Sequence, residues 1–221
     1  MSSQSPRCPL LLVFYEQYLD HQDSDNYIRL VSESYSSGTL QRLTQNPLRE
    51  IRRAAVLALG FIGEYDSNHT LGKALHDDDR TVRTLAENAI PTIWTRMGNE
   101  ADRKELGVII RLNVAQQYKE ALILATHLVE RDPCFAEAWN QRAFAHFGLD
   151  QFAESIRDGH EALEINPYHF VAATRMGHAY LELNNPISAL ECFRRALRLN
   201  PNLEGIRAHV TRLTRQVEGN R

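Results

Sequence analysis

Three prolines are evenly spaced along the second half of the chain. Pro133, Pro167 and Pro201 follow one another at equal intervals, and each closes a stretch with helical, apolar periodicity. A fixed period of about 34 residues, as here, is typical of stacked helix pairs. Most residues of such arrays serve stacking, while their extended concave faces bind other molecules. The sequence therefore predicts an all-α solenoid of stacked antiparallel helix pairs, and it favours binding over catalysis.

The stretch from Phe170 to Pro201 carries the most regular copy. It resembles the tetratricopeptide (TPR) repeat, whose pattern is W-x2-L-G-x2-Y, then A-x3-F and a closing P. Met176 occupies the Leu place and Ala173 the Trp place. The places that match the pattern are Gly177, Tyr180, Ala189, Phe193 and Pro201, with Ala196 as a further small residue.

Two earlier copies are less regular. The copy at 136–167 keeps Trp139 and Ala162 but has polar residues at places where apolar ones are expected. The copy at about 102–133 keeps Tyr118, while its first helix lacks the aromatic and glycine marks, so we predict a degenerate repeat there.

An amphipathic stretch follows the last proline. Residues 202–216 place Leu203, Ile206, Val210 and Leu213 at helical spacing, with arginines between them. The last unit of an array needs one polar outer face. We therefore predict that this stretch is a cap helix.

The first half of the chain repeats with a shorter step. Ile51-Arg52, followed by alanines at helical spacing, recurs as Val82-Arg83 with the same alanine spacing. The helix predicted before each copy also recurs at this interval. These marks resemble the short HEAT-like repeat, also found in the lyases that attach bilin pigments to phycobiliproteins, over residues 36–94. The resemblance implies two stacked helix pairs.

We predict two domains from these patterns. Residues 1–97 would form HEAT-like repeats with N-terminal capping helices, and residues 98–221 a TPR domain of three repeats, the first degenerate, with a cap helix. Gly98 and Asn99 are predicted to stop one helix before another begins close to Asp102. The modules form either one rigid superhelix or two hinged domains. The first is favoured because no long linker rich in Pro, Gly or Ser separates them.

Two apolar stretches precede the HEAT-like pairs. The run Leu10 to Phe14 and the stretch Tyr27 to Val31 suit short helices that cover the open end of the stack. Periodicity alone does not separate a helix from a buried strand at Leu10 to Phe14. A helix is favoured because nothing else in the chain alternates like a strand. The run is too short to span a bilayer and lacks the charged start of a secretory signal.

Composition bounds the class of protein. A chain of 221 residues with 43% hydrophobic content suits one or two ordinary globular domains. Cys8, Cys134 and Cys192 are widely separated, with neither metal-ligand spacing nor a disulfide framework. We therefore predict a reduced, cytoplasmic protein without membrane association. The formal net charge of −3 disfavours nucleic-acid binding, because such proteins usually carry a basic excess.

No constellation predicts catalysis, a metal or a cofactor. The run His76-Asp77-Asp78-Asp79 could offer oxygens to a hard cation, but aspartates before a helix more often cap it and favour its positive end. Gly60 and Gly63 follow an Ala-rich helix, and we predict that they end it. No catalytic set of Ser, His, Asp or Cys is found by spacing. We therefore predict a non-enzyme with no metal and no cofactor.

A cluster of arginines in the first half allows two interpretations. Its members are Arg49, Arg52, Arg53, Arg80 and Arg83. They could form a phosphate-binding face, as in HEAT-like DNA-repair enzymes. However, Arg52 and Arg83 hold the same place in both copies, and the resemblance implies that they tie each helix to acidic or carbonyl groups of a neighbouring loop. The structural role is favoured, and nucleic-acid binding stays as an alternative.

The TPR resemblance implies a concave groove lined by the first helix of each pair. Stepping by the interval between the prolines gives columns of equivalent residues that share this face. Some of them could instead be packed by the cap helix or by the HEAT-like module. The mixture of apolar anchors and hydrogen-bonding groups suits a peptide or a partner helix. The predicted partner-binding residues are Leu106, Ile110, Asn113, Asn140, Gln141, Phe144, Phe147, Thr174, Arg175, His178 and Leu181.

The acidic tails of chaperones are a disfavoured ligand for this groove. TPR domains that bind such tails use a set of Lys, Asn and Arg residues. The corresponding places hold Leu106, Ile110, Gln141, Val171 and Arg175. Only the arginine matches the set.

The sequence therefore predicts a non-enzymatic adaptor or scaffold that binds a protein or peptide partner in the TPR groove. A bilin-lyase-related or other enzyme-accessory protein is the alternative. That alternative rests on two generic helix pairs and brings no residue whose chemistry can be carried over. Nucleic-acid binding through the HEAT-like arginine face is a further alternative. The sequence predicts no oligomeric state.

Overall fold

The computed structural model describes residues 9–219. Within this range the regular elements are thirteen α-helices and one short 3-10 turn, with no strand. The all-α prediction is confirmed. The chain divides into two compact units between Ile93 and Trp94, close to the boundary predicted at residue 97.

The first unit begins with two helices and continues with two helix pairs. Leu10 starts a helix, as favoured, and not a strand. The two pairs begin at Ser37 and Asn68, which are as far apart as Arg52 and Arg83, so the shorter sequence step is a structural repeat. Their HEAT-like nature stays a prediction. The helices are α1 Leu10–His21, α2 Ser24–Ser34, α3 Ser37–Leu43, α4 Arg49–Ile62, α5 Asn68–Ala74 and α6 Arg80–Trp94, with the 3-10 turn at Tyr65–Ser67.

Aromatic side chains hold α1 and α2 against α4. The hydroxyl of Tyr27, a residue that is 1% exposed, donates to the Ala54 carbonyl oxygen at 3.1 Å. The ring centroid of Tyr18 lies 5.8 Å from that of Phe61 in an edge-on arrangement, which stabilises aromatic pairs beyond the area they bury. The two N-terminal helices therefore pack on the first helix pair, as predicted.

The two glycines near the end of α4 have different roles. Gly63 directly follows the helix, and its N–H donates to the Leu59 carbonyl at 2.8 Å, so it ends the helix as predicted. The same prediction is wrong for Gly60, which lies inside α4. A Cβ there would come 2.9 Å from the Cβ of Ala89 in α6. The missing side chain therefore lets the two helices approach closely.

The second unit consists of three helix pairs and a final helix. The second helices of the pairs begin at Tyr118, Phe152 and Pro186, so they keep the equal spacing of the prolines. The helices are α7 Glu100–Val114, α8 Tyr118–Arg131, α9 Ala136–Gly148, α10 Phe152–Ile165, α11 Phe170–Glu182, α12 Pro186–Leu199 and α13 Glu204–Gly219.

Two kinds of turn repeat with the same step. The turn inside each pair contains a residue in the left-handed region. These residues are Gln116, Asp150 and Asn184, with φ of 60°, 58° and 54°. The turn after each pair has an Asx hydrogen bond from the backbone N–H two residues on. The accepting side chains are Asp132, Asn166 and Asn200, at 3.2, 3.1 and 3.0 Å. The copy with the degenerate sequence therefore has the same turns as the other two.

Asn99 begins a helix and does not end one. Its side chain accepts a hydrogen bond from the Asp102 N–H at 3.0 Å, and the Asp102 carboxylate accepts from the Asn99 N–H at 3.2 Å. This capping box satisfies two N–H groups at the start of α7. Because α6 already ends at Trp94, the prediction that Gly98 and Asn99 stop it is wrong. Gly98, with φ 76°, instead provides the left-handed turn before α7.

Apolar clusters fill the second unit. One surrounds Phe193 between α11, α12 and α13, and Trp139 packs against both it and the cluster of α7 to α9. The final helix buries Ile206 and Leu213 while its arginines point to solvent, so it caps the array as predicted. None of the described helices is long and apolar enough to cross a membrane.

Candidate partner-binding face

The predicted partner-binding residues lie on α7, α9 and α11, the first helices of the three pairs. Eight of the eleven are half-buried, which leaves part of each side chain accessible. The other three, Leu106, Asn113 and Asn140, are at most 2% exposed. Leu106 belongs to the apolar cluster beneath α7. It therefore supports the face from below instead of lining it.

A network of buried polar side chains joins α7, α9 and the start of α11. The Glu137 carboxylate accepts hydrogen bonds from Gln141 at 2.6 Å, from Asn140 at 3.1 Å and from the His169 ring at 2.9 Å. Asn113 of α7 donates to both the carbonyl and the side-chain oxygen of Gln141 at 2.9 Å. Buried polar networks of this kind hold side chains in one arrangement when their members are paired.

The hydrogen bonds of His169 fit one tautomer of its ring. Its Nδ1 accepts from the backbone N–H of Ala172 at 3.2 Å, and this bond caps α11. Its Nε2 must then carry the proton that it donates to Glu137. The ring stacks on Trp94, also in the second unit, with centroids 4.2 Å apart. The His169 ring therefore orients the Glu137 carboxylate.

Arg175 lies across the middle of this face. Its guanidinium carbon is 4.1 Å from the centroid of the Phe144 ring, a cation–π arrangement. The Phe144 ring in turn lies 6.1 Å from Tyr118. Burial lowers the pKa of Arg175 to about 10, an effect that nearby Glu137 opposes. The guanidinium is still protonated at neutral pH.

Four buried polar atoms of the face have no hydrogen-bond partner. They come from all three first helices and are Asn113 Oδ1, Asn140 Oδ1, Thr174 Oγ1 and Arg175 Nε. A buried polar atom without a partner costs about 1–3 kcal/mol. The four atoms have almost no accessible surface, so they lie beneath the part of the face that a ligand can touch.

The C-terminal side of the face is packed by the cap helix. The ring of His178 lies 5.0 Å from Phe193 and 5.3 Å from His209 of α13. Phe147 lies 5.3 Å from Phe152 of α10, and together with Leu181 it packs against the Phe193 cluster. The centre of the face, around Phe144 and Arg175, is thus farther from the cap.

Sequence patterns missed two central members of the network, Glu137 and His169. Glu137 and Gln141 are four residues apart on α9, a spacing that predicts a contact between them, but nothing in the pattern indicated that Glu137 is buried. His169 lies just before α11 as its N-cap. Its pairing with the distant Glu137 comes from the stacking of repeats and has no local signal.

We expect the Glu137 network to make stability depend on pH. Burial alone would raise the pKa of Glu137, but the hydrogen bonds from His169, Gln141 and Asn140 outweigh it and lower the pKa. The stabilisation is therefore complete above the unfolded pKa of about 4.3 and is lost as the pH falls through the lower, folded value. Denaturant melts from neutral to acidic pH should show the advantage of wild type over Glu137→Gln shrinking with acidity. Parallel curves would contradict this expectation.

Arg52 and Arg83 make equivalent contacts in the two pairs of the first unit. Arg52 donates to the carbonyl oxygens of Asn46 and Pro47 at 3.2 and 3.3 Å. Arg83 donates to the carbonyls of Asp77 and Asp78, which hold the equivalent places in the next pair, at 2.9 and 3.1 Å. Arg52 also donates to both carboxylate oxygens of Asp77 at 2.8 Å. The predicted contacts of both arginines with carbonyl or acidic groups of a neighbouring loop are therefore present, and their structural role stays a prediction.

Removing either arginine should therefore lower stability. Arg52→Ala removes the guanidinium donors of Asp77 and of two loop carbonyls, and Arg83→Ala removes the donor of the equivalent carbonyls, so each should cost about 1–3 kcal/mol. Thermal melts should show a lower midpoint for both variants, with exposed Arg49→Ala as the control. Unchanged midpoints together with lost binding of DNA or inorganic phosphate would support the nucleic-acid alternative.

The acidic run before α6 is engaged by helix capping and ion pairs. Asp79 accepts from the Val82 N–H at 3.0 Å, which is the predicted cap. Arg53 donates to both oxygens of Asp79 at 2.9 and 2.6 Å. These hydrogen bonds, led by those from Arg53, hold the pKa of Asp79 well below its usual range. No group of three His, Cys, Asp or Glu side chains among the described residues could hold a metal ion.

The Cys192 thiol is not activated as a nucleophile. Cys134 and Cys192 are free, while Cys8 lies outside the described residues. Burial raises the pKa of Cys192 to about 11, so the thiolate is scarce at neutral pH.

Comparison with known families shows that the chain carries tetratricopeptide repeats. Residues 136–169 and 171–203 each match the family described as tetratricopeptide repeat. These are the two copies that the sequence marks most clearly. The HEAT-like resemblance of the first unit stays a prediction.

Curated relatives match less than half of the chain. Hsp70-Hsp90 organizing protein 1 of Glycine max is 29% identical over 108 residues, which are 47% of this chain and 19% of that protein. A protein SGT1 homolog of Bos taurus is 31% identical over 87 residues, or 39% of this chain and 26% of that protein. The chain thus spans about a fifth to a quarter of the length of these relatives.

A solved structure shows the same fold for the repeats. The first TPR domain of Spaghetti (RPAP3), bound to the HSP90 peptide SRMEEVD, superposes with a TM-score of 0.51 at 23% identity. The match covers 53% of this chain and 93% of that domain. At this identity the likeness concerns the fold alone.

Proposed function

We propose that the protein is a non-enzymatic adaptor that binds a peptide segment of a protein partner on the face formed by α7, α9 and α11. The observation that carries the proposal is the set of eight half-buried side chains that three successive first helices present on one face. They combine the aromatic rings of Phe144 and Phe147 with polar groups such as those of Gln141 and Arg175. Apolar anchors next to hydrogen-bonding groups are what peptide-binding faces combine.

An extended segment suits this face better than a helix. The half-buried side chains of Gln141 and Thr174 carry both donors and acceptors, and Arg175 carries donors. An extended backbone presents both N–H and C=O groups along its length, whereas a partner helix has already paired most of its own. An extended segment can therefore form more hydrogen bonds with these side chains than a helix can.

The names of the relatives suggest a chaperone-tail ligand, and the residues of this chain argue against it. The RPAP3 domain is described with the HSP90 peptide SRMEEVD. Tail-binding domains use a set of Lys, Asn and Arg residues. At the corresponding places this chain keeps only Arg175, and the others hold Leu106, Ile110, Gln141 and Val171. We expect SRMEEVD to bind weakly, and tight binding in a calorimetric titration would restore the chaperone-tail hypothesis.

The proposal is tested by capture of the partner from extract of the protein's own cell. Tagged full-length chain and an Arg175→Gln, Phe144→Ala variant are used in parallel, and proteins are identified by mass spectrometry. A stoichiometric protein that is retained by wild type and lost with the variant supports the proposal. A stoichiometric bilin or nucleic acid would instead support one of the alternatives.

The structure lends the alternatives little support. Arg52 and Arg53 of the predicted phosphate-binding face are paired with Asp77, Asp78 and Asp79, which lowers the local positive field. The lyase alternative still rests on the helix pairs of the first unit alone, and a likeness of fold is weak support for an activity. The cytoplasmic location predicted from the cysteines remains part of the proposal.

A further inference from the structure

The last two helices of the chain carry a cluster of arginines away from the partner-binding face. Residues 191–217 contain six: Arg194, Arg195, Arg198, Arg207, Arg212 and Arg215. The same stretch has two acidic residues, Glu191 and Glu204, so its net charge is +4. Because the whole chain carries −3, the other residues together carry −7. Positive charge is therefore concentrated in α12 and α13.

These arginines lack the ion pairs found elsewhere in the same unit. Arg131 and Arg142 are paired with Asp102 and Asp158. None of the six forms an ion pair with an acidic side chain of residues 9–217. Arg194 instead donates to the hydroxyl of Thr214 at 3.2 Å. Five of the six are exposed, so their charge faces solvent.

Four of the arginines lie along one seam between α12 and α13. Arg194 and Arg198 are one turn apart on α12, and the bond from Arg194 to Thr214 fixes the side on which α13 meets them. Arg207, seven residues before Thr214, lies on nearly the same side of α13 as Thr214, and Arg215 lies two turns after Arg207, rotated toward solvent. We call Arg194, Arg198, Arg207 and Arg215 the basic seam.

The seam is short. Arg207 and Arg215 lie two turns apart, a length of about 12 Å along a helix at about 1.5 Å per residue. An extended chain rises about 3.3 Å per residue, so about four residues of a bound segment would span it.

We propose that the basic seam binds a short acidic segment, rich in glutamate or aspartate, of a protein partner. All its cations are arginines, whose planar guanidinium groups bind carboxylates through paired hydrogen bonds. A longer polyanion such as nucleic acid would extend past the seam toward a chain that is otherwise negative, and it would be repelled there. His209, the α13 residue that meets the face at His178, lies on the other side of α13 from Arg207, so the seam offers a second contact beside the proposed peptide face.

The experiment measures binding of a fluorescent glutamate-only peptide to the full chain by anisotropy, with a glutamine-only peptide as the uncharged reference. The test variant is Arg194→Glu, Arg207→Glu. The matched control is Arg103→Glu, Arg111→Glu on α7, which changes the net charge equally at two other exposed arginines. We expect the seam variant to lose at least about tenfold in affinity, because each lost charged hydrogen bond is worth about that much. The control variant should lose much less.

Further variants test whether this site is distinct from the partner-binding face. Arg175→Gln should leave the affinity for the glutamate peptide unchanged, since Arg175 lies on the other face. Circular dichroism melts check folding, and Arg194→Gln, Arg207→Gln replaces the charge-reversal variant if that one unfolds. Equal losses in the seam and control variants would overturn the proposal, as would loss of peptide binding in Arg175→Gln. Tighter binding of a single-stranded oligonucleotide of equal charge would overturn it in favour of nucleic acid.

Discussion

Truncating Phe193 to alanine is expected to lower the free energy of unfolding by about 3–5 kcal/mol, the usual cost of removing a large buried aromatic ring. The Phe193 side chain is 0% exposed and lies at the centre of the cluster that joins α11, α12 and the cap helix. Its ring contacts His178 and His209 at centroid distances of 5.0 and 5.2 Å. Denaturant melts followed by circular dichroism measure the loss.

Gly177 provides a sharper version of this test. A Cβ at Gly177 would overlap the Phe193 ring, so Gly177→Ala should destabilise by about 1–3 kcal/mol through overpacking. In the double variant the ring is gone and the added methyl group has room. The double variant should therefore lose less free energy of unfolding than the sum of the two single variants. A loss equal to that sum would show that the Phe193 ring and Gly177 are not coupled. Exposed Arg198→Ala on α12 serves as the control.

The periodic features of the fold were predictable from the sequence because they are local. The equal spacing of the prolines reappears in the Asx turns of Asp132, Asn166 and Asn200. The repeated Arg52 and Arg83 gave the arginine-to-loop contacts correctly. In each case the residues that interact are close in sequence or share one repeat, so one copy predicts the next.

The parts that failed depend on contacts between helices or on the surroundings of a single residue. Gly60 resembles a helix end in the sequence, but its role is set by Ala89 on another helix. Leu106 holds the same place in its repeat as the half-buried Thr174, yet it is buried because it belongs to the apolar cluster of α7 to α9. The pairing of Glu137 with His169 likewise requires two stacked repeats. Periodicity gives the face on which a side chain lies, and packing decides how much of it remains accessible.

We expect the largest loss of partner affinity from Phe144→Ala. Phe144 is half-buried at the centre of the face, and its ring supports the guanidinium of Arg175 from 4.1 Å. Central aromatic residues carry much of the binding energy at interfaces, and truncation of such a hot spot costs about 2 kcal/mol or more, roughly thirtyfold in affinity. Phe147→Ala should weaken binding less, because its ring also packs on Phe152 and the Phe193 cluster.

The two groove variants are compared with Trp139→Ala on the partner identified by capture. Trp139 packs against both apolar clusters and donates to the Pro133 carbonyl at 2.9 Å, so its truncation should cost about 3–5 kcal/mol of stability. Affinity is measured by calorimetry at a temperature where all variants are folded, and stability by thermal melts. Phe144→Ala should lower the affinity with a small change in melting temperature, whereas the main effect of Trp139→Ala should be a lower melting temperature.

If both phenylalanine variants bind normally, the partner does not use the face of α7, α9 and α11. The basic seam, whose variants change charge and leave the apolar core intact, then becomes the surface on which to map that partner.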